Sequence, residues 1–217
     1  GLFLIACSSY IHAENFIYIP KDLNQLLDKN ETAINLQYGE FSQKNKLDAI
    51  ILTIKNDDAL HLKSDFKNLY AFPRKIYIFQ QNNNKWKLLA KNDRILKALA
   101  PRKDYDSALD QINFMRQTEP NSPSELLIIR EGQNPQRGHA VASFNLNYNH
   151  QDRNIYVMEE SYSYYNIDNE DFPCNANQKY SSGSKLFNLF QDHEDEIISN
   201  RLRHHLCLEQ EDEVTEK

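Results

Sequence analysis

His139-Ala140-Val141-Ala142-Ser143-Phe144-Asn145-Leu146-Asn147-Tyr148 runs through Asn149-His150-Gln151-Asp152-Arg153 into Asn154-Ile155-Tyr156-Val157-Met158-Glu159-Glu160. The first part alternates, with Val141, Ser143, Asn145 and Asn147 on one side and Ala142, Phe144, Leu146 and Tyr148 on the other. Successive side chains of a strand point to opposite faces, so this is the pattern of a strand with one buried face. The polar interruption has turn chemistry, and the apolar run after it returns as the antiparallel partner. A hairpin over 139–160 follows, and with it a sheet built from local antiparallel pairings.

The rest of the chain extends the same reading. Ala49-Ile50-Ile51-Leu52 with Ile54 is apolar enough for a central strand over 48–55. In 75–80, Ile76 and Ile78 alternate with Tyr77 and Phe79, so both faces are expected to be covered. Asn82-Asn83-Asn84 is a turn, and 85–89 returns from it. Segments 16–19, 33–38 and 125–130 are further strands, and 107–115 is either helical or extended. Pro20 followed by Leu23, Leu26 and Leu27 predicts a short amphipathic helix over 21–29. Residues 94–100 are a short helix or irregular, 185–190 suits a strand, and 195–206 suits a helix or a strand. No regular period marks 166–180. The expected fold is a β-rich α+β domain, a mostly antiparallel sheet with hairpins and a few short helices, its C-terminal region stapled by a disulfide. Residues 14–208 form the single globular domain, and 209–217 are an acidic tail with little to bury.

Composition narrows the function. The chain has 217 residues and a net charge of −6, with 40% hydrophobic and 26% charged residues, as in globular proteins. An acidic balance without a sustained basic run argues against nucleic acid as a partner. The five glycines are too dispersed for a phosphate-cradling loop, which excludes dinucleotide fingerprints and P-loops.

Gly1-Leu2-Phe3-Leu4-Ile5-Ala6-Cys7 is too short to span a bilayer and reads as the end of a signal-peptide apolar region. Leu4-Ile5-Ala6-Cys7 resembles a bacterial lipobox, which implies lipidation at Cys7. Cleavage after Ala13 is the competing reading, and a buried first strand over 2–6 is the third. On the first two readings, residues 1–13 are targeting sequence and the protein works in the periplasm, on the first of them as an anchored lipoprotein. Cys174 and Cys207 are the other two cysteines. In an oxidising compartment, a bridge between them would stabilise by roughly 3–4 kcal/mol on the chain-entropy account. The alternative is a zinc site using His204, His205 and Cys207, which lacks a fourth ligand at regular spacing.

Catalytic motifs are weak. His193-Glu194-Asp195-Glu196 lacks the second histidine of a zincin helix and reads as a solvated charged face. His204 and His205 would point about 100° apart on a helix. Ser181-Ser182-Gly183-Ser184-Lys185 lacks the upstream glycine of a P-loop and reads as a turn. Glu159 and Glu160, adjacent on a strand, face opposite sides and are poorly placed for joint acid–base work. Neither a cofactor nor a metal is expected. The aromatic residues say more: Tyr156, Tyr162, Tyr164 and Tyr165 cluster beside Glu159 and Glu160. Tyrosine offers large contact area at low entropic cost, so these six residues are a candidate protein-binding surface, with packing over a small sheet as the alternative.

One resemblance emerges. Tyr38-Gly39-Glu40-Phe41-Ser42-Gln43-Lys44-Asn45-Lys46-Leu47-Asp48, followed by the apolar strand, resembles an FG-GAP or VCBS-type repeat. Pro73 to Phe79, Trp86-Lys87-Leu88, Asn92-Asp93 and Phe144 to Tyr148 extend the similarity over roughly 33–165. The resemblance implies a calcium loop at 40–48. Here, however, Glu40, Ser42, Lys44 and Asn45 replace the family's pattern and only Asp48 is kept, so calcium is not expected. A propeller is also excluded, because four blades of roughly 40–60 residues would exceed the chain.

The function expected from the sequence is a non-enzymatic cell-envelope binding protein, in its most specific form an immunity protein that inhibits a periplasm-acting toxic effector. The alternatives are a metal-assisted envelope hydrolase and a structural lipoprotein without a specific ligand. The partner is a protein, more plausibly basic than acidic, and the membrane is touched only through a lipid anchor.

Overall fold

The computed structural model describes residues 17–62, 72–96, 107–115, 125–134, 138–166 and 169–203. Cys7, Cys207, His204, His205 and the acidic tail lie outside them. Two antiparallel meanders make up the fold, where the sequence suggested one sheet. The first is four-stranded in the order β1 (Glu31–Gly39), β2 (Asp48–Lys55), β3 (Lys75–Asn82), β4 (Lys85–Asn92). The second is five-stranded: β5 (Ser107–Met115), β6 (Glu125–Asn134), β7 (Gly138–Asn149), β8 (Asn154–Asn166) and β9 (Asn169–Lys179). Among the described residues three short helices accompany them: α1 (Lys21–Asn24), α2 (Asn56–Leu62) and α3 (Glu194–Arg203). No helix among the described residues is long and apolar enough to cross a membrane.

Alternation explains how the sheets meet. Ile50 and Leu52 of β2, with Ile76 and Ile78 of β3, join Leu126, Ile128, Phe144, Leu146 and Val157 of the second sheet in one buried cluster. The intervening residues Ala49, Ile51, Tyr77 and Phe79 face the other way, onto Ile19, Leu23 and Leu27. The first sheet is therefore covered on both faces, as its doubly apolar central strands require. The expected helix over 21–29 shrinks to the four residues of α1, closed by the Asn24 N–H donating to the Pro20 carbonyl. Leu23 and Leu27 are nevertheless buried as their spacing suggests, and Leu26 is exposed. Residues 17–20 form no strand; Ile17 and Ile19 pack on the sheet without joining it.

Turns and bulges set the register. Asn83 and Asn84 have φ of +49° and +59° between the paired Asn82 and Lys85, a two-residue type I′ turn. At the start of β2, Asp48 is fully buried and accepts hydrogen bonds from the Phe41 and Ser42 N–H groups and the Ser42 hydroxyl, each at 2.6 Å. Both its oxygens thus fasten the 40–47 loop internally. Residues 166–180, without visible period, contain β9. Residues 185–190 are not a strand: Leu186 makes one bridge to Tyr156, and a 3-10 turn follows at Phe187–Leu189. Ser107–Met115 is extended, and 194–203 is helical.

A polar network closes the outer face of the first sheet. Lys75 pairs with Asp28 at 2.8 Å and with Glu31, which also accepts from the Tyr77 and Thr53 hydroxyls. The Lys75 hydrogen bond is the largest of the influences that hold the Asp28 carboxyl below its ordinary 3.8.

Two predictions follow from these features. Asn84→Ala keeps a Cβ in left-handed backbone but loses the amide that eases that conformation, and should cost about 1 kcal/mol in urea unfolding, whereas Asn84→Gly should cost nothing. Because the folded-state value of Asp28 is lowered, its contribution is complete above pH 3.8 and is lost as pH falls through the folded value. The stability gap between wild type and Asp28→Asn should be open at about pH 7 and narrow as pH falls below 3.8, read from urea midpoints.

Candidate functional site

The site arises from a β-bulge. In the β7–β8 pairing, Asn145 faces Glu159 but Leu146 faces Val157, so Met158 is an extra residue on β8. One extra residue reverses which side chains face the core. Before the bulge, Ile155 and Val157 point inward; after it, Glu160 and Tyr162 do. A glutamate is thereby placed in the interior with no exposed surface.

Glu160 is compensated from several directions. It accepts from the Tyr162 hydroxyl at 2.7 Å, from the Tyr180 hydroxyl, and from the His193 backbone N–H at 3.1 Å. The His193 ring places Nδ1 3.0 Å from Oε1. Tyr162 also reaches Asp192 Oδ1 at 2.6 Å, so one phenolic proton lies between two carboxylates. The same Asp192 oxygen accepts from the Glu194 N–H at 2.9 Å and organises the first turn of α3. Burial, then the nearby charge of Asp192 and Glu160, pushes the Tyr162 phenol far up. Burial and the Glu160 hydrogen bond likewise raise Tyr180. Both phenols therefore stay protonated donors. Moving a carboxylate out of water costs several kcal/mol, and hydrogen bonds to a charged group return about 1.5–3 kcal/mol each. The balance is near even, so the cluster fixes geometry more than it adds stability.

Three neighbouring segments carry this cluster. The Tyr180 N–H donates to the carbonyl of the bulge residue Met158, and the Val157 N–H donates to Lys185. Between these contacts Gly183, at φ +79°, makes the tight turn expected over 181–185. Phe190 packs edge-on against Phe144, Tyr180 and His193, walling the carboxylates from the core. Asn92, buried at the end of β4, donates to the Phe187 and Phe190 carbonyls and accepts from the Arg94 and Ile95 N–H groups. The first sheet thereby holds the turn that holds His193.

On the outside, His193 lines a cleft of about 320 Å³ between β9 and α3, together with Tyr180, Lys185, Glu196 and Arg201. With Nδ1 on Glu160, the ring has Nε2 left for the cleft, which suits proton exchange or hydrogen bonding. Among the described lining residues there is no serine, threonine or cysteine, and the Tyr180 hydroxyl is turned inward to Glu160. Among the described residues, no group of three or more His, Cys, Asp or Glu could hold a metal ion.

The residues proposed from the sequence as a binding surface are divided by the fold. Glu160 and Tyr162 are interior, at 0% and 1% exposure, and no partner reaches them in the folded chain. The extra residue at Met158 is the reason, because it turns both inward. Glu159 and Tyr156 are half-buried on the strand, with the Tyr156 hydroxyl donating to Asp152 at 2.5 Å. Tyr164 pairs in register with Cys174, and Tyr165 with His139. His193, read as part of a solvated charged face, instead anchors the buried glutamate. Sequence reasoning missed Tyr180, Asp192 and Asn92, and no local pattern distinguishes them from surface polar residues.

An aromatic patch lies on the outer face of the first sheet. Tyr38, Ala49, Phe79 and Leu88 form one cross-strand row, and the Tyr38 ring lies 6.0 Å from that of Trp86. Ala49 and Phe79 are buried beneath, while Tyr38 and Leu88 are 44% and 39% exposed. Burial, followed by the charges of Asp22 and Tyr18, raises the Tyr38 phenol, and Tyr18 itself stands in solvent.

No family model matches the chain, and neither the curated proteins nor the solved structures give a match.

The bulge makes a sharp prediction for two adjacent glutamates. Glu160→Ala strands the Tyr180 hydroxyl and the His193 N–H, while Tyr162 keeps Asp192, and should cost about 2–4 kcal/mol in chemical denaturation. Glu159→Ala should change stability by less than about 0.5 kcal/mol. Equal costs would mean that the register does not shift at Met158.

Proposed function

We propose that this protein is a non-enzymatic binding protein of the bacterial cell envelope whose partner is another protein, most specifically an immunity protein that blocks a toxic effector acting in the periplasm. The observation that carries the reading is the exposed row of Tyr38 and Leu88 beside Trp86, over a sheet covered on both faces. Tyrosine and tryptophan dominate the energetics of protein interfaces, and a rigid sheet presents them with little entropy left to lose. The net charge of −6 favours a basic partner, steering its approach. In this reading Cys7 carries the lipid anchor after processing at the lipobox, and Cys174 and Cys207 are bridged in the oxidising periplasm. The degenerate FG-GAP-like segment then serves as scaffold, its one retained acid, Asp48, spent on its own loop.

The second reading, an envelope hydrolase, draws on His193 held by Glu160 at the edge of the cleft. Metal analysis of the purified protein separates it, since stoichiometric zinc would favour the enzyme.

The test is affinity capture from native envelope with wild type and a Tyr38→Ala/Leu88→Ala double variant, followed by mass spectrometry. One stoichiometric protein should be retained by wild type and lost by the variant, with binding weakened by about 2 kcal/mol or more. Its toxic or enzymatic activity should fall on binding. Equal capture by both forms, or none by either, would sink the proposal at this surface.

A further inference from the structure

The cleft between β9 and α3 differs in charge from the rest of this acidic chain. Two of its lining residues are cations, Lys185 from the turn after β9 and Arg201 from the last turns of α3. Lys185 Nζ lies over the Tyr180 ring at 5.2 Å. Neither cation is in an ion pair with a carboxylate among the described residues, although Glu196 lines the same cleft. Arg201 Nε is itself buried and has no hydrogen-bond partner. A buried donor without an acceptor is costly to leave unmade, and an arginine fork matches the planar oxygens of a carboxylate or a phosphate.

The remaining walls suit the same ligand. Asn177, Gln178 and Asn200 supply neutral amides, and His193, fixed through Nδ1 by Glu160, has its second nitrogen for the cleft. The volume of about 320 Å³ is at the lower end for a small-molecule site. Tyr180 serves two roles at once. Its hydroxyl is committed inward to Glu160, and its ring face carries the Lys185 ammonium, so the buried cluster fixes the position of the cation outside it.

The geometry points to an oxyanion-binding site in this cleft, where Arg201 and Lys185 hold a carboxylate or phosphate group and His193 adds a hydrogen bond. It goes beyond the protein-binding reading: the aromatic patch lies on the first sheet and the cleft on the second, so either can fail alone.

Inorganic phosphate and acetate are the probes, titrated into the full chain at constant ionic strength held with chloride. The readout is the amide and side-chain NMR signals of wild type, including Arg201 Nε–H and the His193 ring. Saturable shifts confined to the cleft are expected, and the tighter of the two probes identifies the oxyanion. Arg201→Gln and Lys185→Gln should each weaken binding on the order of tenfold, while Lys87→Gln on the first sheet leaves it unchanged. Shifts that do not saturate, that spread over surface lysines, or that survive both cleft substitutions would overturn the site. Because the wild-type titration needs no variant, a substitution that fails to fold leaves the question decided by the map of shifts.

Discussion

Glu160 is the constraint around which the second sheet is arranged. A carboxylate with no exposed surface must be met by donors, and each donor here comes from a different part of the chain. Tyr162 follows on the same strand, Tyr180 comes from the turn after β9, and His193 from the start of α3. Satisfying one buried charge therefore docks a turn and a helix onto the sheet. Apolar packing of Phe190 against Phe144, Tyr180 and His193 adds stability but no unique orientation, since hydrophobic contacts are non-directional. The hydrogen bonds supply that orientation, and the near-even energy balance of a buried charge is consistent with such a role.

The two sheets are joined by packing and by hydrogen bonds between the end of β4 and the 187–190 turn, where the Lys91 N–H donates to Asn188 and Arg94 to the Leu189 carbonyl. Asn92 sits where β4 ends, and its side chain satisfies backbone groups on both sides of the junction: N–H groups of Arg94 and Ile95, and carbonyls of Phe187 and Phe190. Interior backbone groups that lack ladder partners must be paired by something, and a side-chain amide with both a donor and an acceptor suits this position. The turn that carries Phe190 toward the carboxylates is consequently set by the first sheet.

Much of this was legible because strand patterns are local. The 139–148 alternation, the two-sided apolar runs at 49–52 and 76–79, and the Asn83-Asn84 turn each carry their cause in a few neighbouring residues. The bulge at Met158 does not. Nothing around Met158-Glu159-Glu160 signals an extra residue, because the insertion is defined only against Asn145 and Leu146 on the partner strand. Read without it, Glu160 and Tyr162 fall on the outer face with Tyr156 and Tyr164, and those four look like one surface. β9 escaped for a related reason. Its described side chains, apart from Ala176, are polar, and it is a strand because β8 offers it an edge. The helix over 21–29 erred oppositely: spacing marked Leu23 and Leu27 as buried but also the exposed Leu26, and one hydrogen-bonded turn was enough to place them.

The division of polar groups between inside and outside bears on what kind of protein this is. The most elaborate polar constellation, Glu160 with Tyr162, Tyr180, Asp192 and His193, is turned inward and has most of its capacity taken by its own members. Of its members the His193 ring edge and the Tyr180 ring line the β9–α3 cleft, beside the Glu196 carboxylate. The groups with unused capacity are of another kind: cations in the β9–α3 cleft and aromatic rings on the first sheet. Unpaired charge and exposed aromatic area are what recognition draws on, because both gain most when a partner removes water from them.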